Sequence, residues 1–447
     1  MDNEELHSFV AELVDRHGLP GMAVGVQHGD VRLLSASGVR NAFTGDAATA
    51  DTMFQIGSLT KMYTATLVMQ LVESGEMSLD DTLDELLPEL QLAGDPDLSK
   101  VTLRMLLTHT SGIEGDSFFD TGRGDDAVAR LVDRLTETGT VHEPGATWSY
   151  CNTGFVLAGR VVEKATGLPW HQALTQRLVR PLGATGPLTL LDDLIRFRLS
   201  TGHVGSPGSL RPADLASMPW SQAPAGSRSF GCVEDLLTFA CLHLDGGVSS
   251  DGTRLLSESS VALMQSHVAD QPVSMTAGQG IGWFLLDEQP DLVIGHAGDT
   301  VGYAALLLLA PERRLAVACL TNAEWGVGAN FEAAFSLFAK LEGLQVSAPG
   351  ARSGGELPAL APFAGSYARQ GGSAEVGVEA GGQALLVTLS TRDELRGERT
   401  ERVRLVPVGG SVFLDADDPA AFPFEFLGDA EKPEFFLSGA RVLRRVL

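Results

Sequence analysis

Cysteine is scarce in this chain, four in 447 residues (Cys151, Cys232, Cys241 and Cys319) with no CxxC pair. Neither a disulfide framework nor a zinc knuckle is suggested, and reduced, mostly buried thiols are expected. Long apolar runs are also missing. The longest, Ala304 to Ala310, falls far short of the ~20 residues a membrane-crossing helix needs. The opening stretch MDNEELHSFVAELVDRHG carries acids where a secretory leader needs bases, and its apolar positions recur at helical spacing. Export is not indicated, and a cytoplasmic location is expected. Basic residues number 32 against 57 acidic ones, a net charge of −25. Such a field repels nucleic-acid phosphates and anionic lipid headgroups, so neither nucleic acid nor membrane is an expected partner. There is no G-x-S-x-G elbow, no H-E-x-x-H helix and no P-loop, which removes support from the common alternative hydrolase and nucleotide routes. No metal and no cofactor is expected.

What is present is an ordinary globular composition, 44% hydrophobic and 20% charged, in a chain long enough for one large core and a smaller second unit. Strand-like runs Gly21–Gln27 and Val31–Val39 flank a His28-Gly29-Asp30 turn. A largely apolar helix follows Ser58 and ends near Gly75. Residues 78–180 read as helical and loop-rich. Strands return at Ile281–Leu286, Leu292–His296, Tyr303–Ala310 and Leu315–Thr321, before a helix around Phe331–Glu342. The stretch VSAPGARSGGELP, 346–358, has linker composition. Short, closely spaced strands beyond it suggest a small antiparallel barrel. The expected division is therefore 1–345, linker 346–358 and 359–447, an α+β fold followed by a barrel.

Three constellations carry chemistry. In Ser58-Leu59-Thr60-Lys61 a serine opens a buried helix and a lysine follows on the same face one turn later. A hydroxyl attacks poorly until a neighbour takes its proton, and a lysine whose pKa is depressed by desolvation and nearby cations can do so. Ser-x-x-Lys alone is commonplace, but Lys61 is the only one of five lysines with a serine three positions earlier, and it lies in an apolar helix. The second is Tyr150-Cys151-Asn152, in a loop leading into a helix; only Tyr150 among four tyrosines has Asn two residues on. A phenol beside an ammonium is expected to have a lowered pKa and to shuttle protons, and the amide can bind both lysine and a substrate carbonyl. The same residues are also compatible with a buried Tyr and a helix-capping Asn. Third, His296-Ala297-Gly298 ends a strand. Its glycine lets a substrate lie along the strand edge, and the N–H that follows can form half of an oxyanion hole with that of Ser58. His109 reads as a structural histidine hydrogen-bonded to nearby backbone.

In their order and separation, these elements resemble penicillin-binding proteins, class C β-lactamases and related serine esterases and D-peptidases, over roughly residues 5 to 345 and including Leu106 to Gly112. The resemblance implies an antiparallel sheet covered by helices, an all-helical lobe beside it and a site between them. It implies Ser58 as acylated nucleophile, Lys61 and Tyr150 as proton-transfer groups, Asn152 as orienting residue, His296 in the catalytic set, and an oxyanion hole from the N–H groups of Ser58 and Asp299. Gly298, Trp283, Gly231 and Arg441 are the expected substrate-binding residues. Arg441, with Arg444 and Arg445, either holds a substrate carboxylate at the mouth or is a solvated surface arginine. Where β-lactamases usually have Lys-Thr-Gly this chain has His-Ala-Gly, which disfavours β-lactam hydrolysis. The tail, opening at Pro362 to Tyr367, resembles a lipocalin-like domain. With the tail and without an export signal, the chain is similar to penicillin-binding-protein-type thioesterases, which release and cyclise nonribosomal peptides. The substrate implied is a peptidyl thioester or ester, with a peptidyl carrier protein as a candidate partner. The alternatives are a cytosolic serine esterase or D-stereospecific peptidase, and a non-catalytic ligand-binding protein.

Overall fold

The run Tyr303–Ala310 is apolar along its length, the pattern of a strand covered on both faces, and all of its residues are buried. The computed structural model, which describes residues 1–287, 291–346, 356–393, 397–418 and 422–446, places it inside an eight-stranded antiparallel sheet. The strands are β1 (Gly21–His28), β2 (Val31–Asn41), β3 (Asp46–Ala47), β4 (Gly278–Gln279), β5 (Phe284–Asp287), β6 (Val293–Thr300), β7 (Tyr303–Ala310) and β8 (Leu315–Thr321). Their order is β3-β2-β1-β8-β7-β6-β5-β4.

Alternation along these strands separates two cores. Met22, Val24, Leu306, Leu308 and Val317 pack with the helices Asn3–His17 and Val327–Glu342. Ala23, Ala305, Leu307, Ala318 and Leu320 pack with the helices Thr60–Glu73 and Val233–Leu244 and with the helical lobe. Within that lobe the helix Asn152–Thr166 lies against Thr60–Glu73. Among the described residues no helix is long and apolar enough to cross a membrane. The four cysteines are free, three of them buried.

The tail forms a closed barrel of eight antiparallel strands from Gly365–Arg369 to Arg441–Arg445, the first pairing the last through Tyr367 and Arg445. Eight strands leave an interior that side chains can fill. Phe363, Tyr367, Phe413, Phe426 and Phe436 fill it, and the Tyr367 hydroxyl donates to the Phe363 carbonyl at 2.9 Å. The barrel docks on the rest of the chain through an apolar seam in which Phe435, Leu437 and Val442 meet Val141, Trp148, Tyr150 and Met275. Beside the seam the Gly139 N–H donates to Gln370 Oε1 at 2.9 Å and the Ser274 N–H to Glu425 Oε2 at 2.9 Å.

The strand expected at Ile281–Leu286 starts only at Phe284, because Gly282, at φ +75, breaks the run with a turn. The helix Val233–Leu244 was not anticipated; it is buried along most of its length, and burial on most sides blurs the helical period. Of the expected linker, residues 347–355 lie outside the described residues.

The short 3-10 segment Trp220–Ala225 is pressed against the helix Asn152–Thr166 at Gly159, where an added Cβ would lie 2.4 Å from the Pro224 ring. Gly159→Ala is expected to lower stability by roughly 1–3 kcal/mol, the usual scale of overpacking. An unchanged urea-unfolding midpoint would show that this segment yields freely.

Candidate active site

Lys61 is the only lysine in the apolar helix Thr60–Glu73, and its side chain is completely buried. A buried ammonium needs acceptors. Lys61 Nζ donates to Ser58 Oγ at 3.0 Å, to Asn152 Oδ1 at 2.7 Å and to the Ala225 carbonyl at 2.7 Å. Each acceptor comes from a different element: the 3-10 turn Gly57–Leu59, the first residue of the helix Asn152–Thr166, and the end of the segment Trp220–Ala225. All three are formally neutral. Burial pushes the Lys61 pKa well down, the Arg441 cation adds to this, and Asp116 opposes it. The result favours a neutral amine beside the Ser58 hydroxyl, the form that can take a proton.

The Ser58 turn is held tightly against strand β6. Gly57 has φ +53 and an added Cβ would come within 3.0 Å of the Asp299 amide nitrogen; a Cβ on Gly298 would lie 2.1 Å from the Ile56 carbonyl and 3.2 Å from the Ser58 nitrogen. The glycines thus allow the Ser58 and Asp299 backbones to approach each other. Gly231, in a short strand paired to Phe54, lies beneath the same turn near Ile56.

Tyr150 is stacked among rings. Its centroid is 4.3 Å from His109 and 6.1 Å from His296, and Lys61 Nζ stands 4.8 Å from the ring centre. Burial pushes the phenol pKa up, against the pull of the Ser58 hydroxyl and Arg441. This reverses the lowered value expected from a cationic neighbour: desolvation of the phenolate wins, and Tyr150 is a proton-holding phenol. His109 is buried and accepts the Cys151 N–H at Nδ1, 2.9 Å. His296 Nδ1 lies 2.6 Å from the Ala297 carbonyl, its ring stacks on Phe284 at 4.4 Å, and burial, with Lys61 adding to it, holds its pKa near 3. It stands beside Tyr150 as a neutral ring; its one hydrogen bond is to backbone.

Two expectations need correction. Trp283, expected to touch substrate, is 0% exposed and packs against Phe239 and His243 in the core. Arg441 is half-buried, and its guanidinium is engaged by a carboxylate of this chain, not left as a solvated surface group or open to a substrate carboxylate. Its Nε and Nη2 donate to Asp116 at 2.9 Å each and its Nη1 to the Gly439 carbonyl at 3.0 Å, while its guanidinium lies 4.8 Å from the Tyr150 ring centre. Arg444 is exposed.

Sequence reasoning missed Asp116, Glu114 and Arg369. Asp116 also accepts from Asn152 Nδ2 at 3.0 Å and from Arg369 Nη2 at 3.3 Å, and Arg369 pairs with the buried Glu114. The one sequence signal was two acids, Glu114 and Asp116, next to the Leu106–Gly112 segment. Burial alone would raise the Asp116 carboxyl, but the Arg441 and Arg369 guanidiniums outweigh it and hold the pKa down at about 2. Among the described residues no cluster of His, Cys, Asp or Glu could hold a metal ion.

A serine under an uncharged-acceptor lysine, a phenol beside both, and converging backbone amides can support nucleophilic acyl transfer. The family model Beta-lactamase matches residues 6–338. The chain belongs to the beta-lactamase family. It is a serine hydrolase or acyltransferase of that family. Penicillin-binding protein 4 of Amycolatopsis lactamdurans is 41% identical over 369 residues, covering 80% of this chain and 95% of that protein. The crystal structure of SurE matches this beta-lactamase-family chain with a TM-score of 0.79 and 29% identity over 99% of both chains. SurE with D-Leu matches at 0.77 and 27%, again over 99% of both. A D-stereospecific amidohydrolase from Streptomyces sp. matches at 0.61 and 25%, over 77% of this chain and 100% of that one.

Protonating Asp116 breaks its clamp, so its contribution to stability, roughly 2 kcal/mol, is complete above about pH 4 and is lost as pH falls towards about 2. Across that range wild type is expected to lose urea stability more steeply than Asp116→Asn. Parallel curves would show that the arginines do not hold the carboxylate.

Proposed function

We propose that the chain releases and cyclises head-to-tail a peptidyl thioester ending in a D-residue, through an acyl-enzyme on Ser58, with residues 1–345 as its catalytic unit. The observation that carries the chemistry is the 3.0 Å contact between Ser58 Oγ and a fully buried Lys61 whose direct partners are all uncharged. In this reading neutral Lys61 takes the Ser58 proton as Oγ attacks the thioester carbonyl. The N–H groups of Ser58 and Asp299 stabilise the oxyanion. Collapse breaks the C–S bond, and Tyr150 passes a proton to the departing thiolate. The peptide's own amino group then attacks the serine ester, its proton leaves through the Tyr150–Lys61 pair, and Ser58 Oγ is released with its hydrogen. Thioester and amine become amide and thiol, and the enzyme is unchanged. Asn152, held between Lys61 and Asp116, orients the lysine and the acyl carbonyl, while Gly298 and Gly231 line the acyl path.

The preference for a D-residue rests on the likeness to SurE, one structure of which contains D-Leu, and to a D-stereospecific amidohydrolase. The SurE likeness runs through the barrel, whereas the amidohydrolase likeness covers 77% of the chain, which favours the thioesterase reading over a D-amidase or esterase. A peptidyl carrier protein is the proposed donor. The filled barrel interior gives no support to a ligand-carrying role.

Given linear peptidyl thioesters with a D-residue at the C-terminus, the wild type is expected to yield a product one water lighter than the free acid by mass spectrometry, and Ser58→Ala none. Free acid alone, with ready turnover of simple esters, would replace cyclisation by hydrolysis. Tyr150→Phe is expected to slow acylation by at least ~100-fold; near-normal acylation in single-turnover kinetics would remove Tyr150 from the proton path.

A further inference from the structure

The tail reaches into the site through one hairpin. The strand Lys432–Ser438 turns at Gly439 and Ala440, both with positive φ (+55 and +65), into Arg441–Arg445. That pair of angles makes a tight turn suited to a β-hairpin, but Ala is rarely found there. The Ala440 carbonyl accepts the Tyr150 N–H at 2.9 Å, and the Val442 N–H donates to Ser149 Oγ at 3.2 Å. The turn is therefore pinned to the loop that carries Tyr150 and Asn152.

From this hairpin a continuous chain of contacts runs inward. Arg441 and Arg369, both from the barrel, hold Asp116; Asp116 accepts from Asn152 Nδ2; Asn152 Oδ1 accepts from Lys61. A carboxylate only accepts, so Asp116 requires the Asn152 Nδ2 to face it and thereby turns Oδ1 towards Lys61. We propose that Arg441 is a positioning residue: with Arg369 it fixes Asp116, and through Asp116 it sets both the orientation of Asn152 and the charge balance around Lys61, so that the barrel tunes the catalytic base. This inference rests on the reading of Lys61 as base.

The groups acting on Lys61 are few. Burial pushes the Cys151 thiol up to about 12 and raises the Tyr150 phenol. His109 and His296 are pushed down by burial and by Lys61 itself. All four are uncharged near neutrality. The remaining groups are Arg441, which lowers the Lys61 pKa, and Asp116, which raises it, with Glu114 and Arg369 paired behind them. Opposite substitutions must then act oppositely. Removing the Arg441 cation makes Lys61 more basic, and a base that works as the free amine needs a higher pH. Removing the Asp116 charge does the reverse.

The test is the rate at which a fluorophosphonate labels Ser58, followed against pH in the full chain, with near-UV circular dichroism to confirm folding. R441Q is expected to move the acid limb up by ~1 pH unit, the scale for losing one nearby charge, and D116N to move it down. D116N/R441Q returns it towards wild type. R441K keeps the limb in place while lowering the rate, because the charge survives and the two-pronged grip does not. Superimposed limbs, or shifts in one direction for both single variants, would overturn the proposal, as would R441Q raising KM for a thioester with no change in the limb, the signature of substrate binding alone. If R441Q does not fold, the near-isosteric D116N shift decides. Wild type that the phosphonate does not label, or Ser58→Ala labelled as fast, would instead sink the Ser58 reading itself.

Discussion

An ammonium group with no access to water has to be surrounded by acceptors or give up its proton, and Lys61 is such a group. Its needs account for much of the architecture. The Ser58 turn, the start of the helix Asn152–Thr166 and the carbonyl of Ala225 are brought together from remote parts of the chain, and each supplies one acceptor. Gly57 and Gly298 let strand β6 close on the turn, and Gly159 lets the Ala225 segment close on the helix. The central strands of the sheet behind them, β1, β7 and β8, are buried on both faces and form the back wall.

Local features of this arrangement could be read from the sequence. The serine and lysine one helical turn apart, the Tyr150-Cys151-Asn152 loop before a helix, and the apolar runs of β7 and β8 depend on neighbours in the chain, and the structure places them as those patterns suggested. The features that escaped depend on distance or depth. Asp116 and Arg441 are 325 residues apart, and no spacing rule links them. An indole in a core and one lining a cleft have the same sequence signature, so Trp283 was assigned to the wrong one. For Tyr150 the sequence revealed a cationic neighbour but not the degree of burial, and burial decided the direction of the shift.

The barrel gives a second example of sequence pattern without depth. Closely spaced strands suggested its architecture, and a closed barrel invites the idea of an internal ligand. Instead, aromatic side chains occupy the interior, and what the barrel offers its neighbour is a surface: Phe435, Leu437 and Val442 to the apolar seam, Gln370 and Glu425 to nearby amides, and two guanidiniums to one carboxylate. On that surface the turn holds Ala440 in a left-handed conformation, pinned by its carbonyl to the Tyr150 N–H.

Strand Arg441–Arg445 closes the barrel against Gly365–Arg369 and follows the rest of the site in chain order. During translation Ser58, Lys61 and Asn152 therefore emerge, and can begin to pack, well before either arginine that binds Asp116 exists. A growing chain carries Ser58 and Lys61 with an unclamped Asp116 until both barrel arginines have been made. The order in which the ribosome delivers the parts makes the Asp116 clamp a later event than the meeting of Ser58, Lys61 and Asn152.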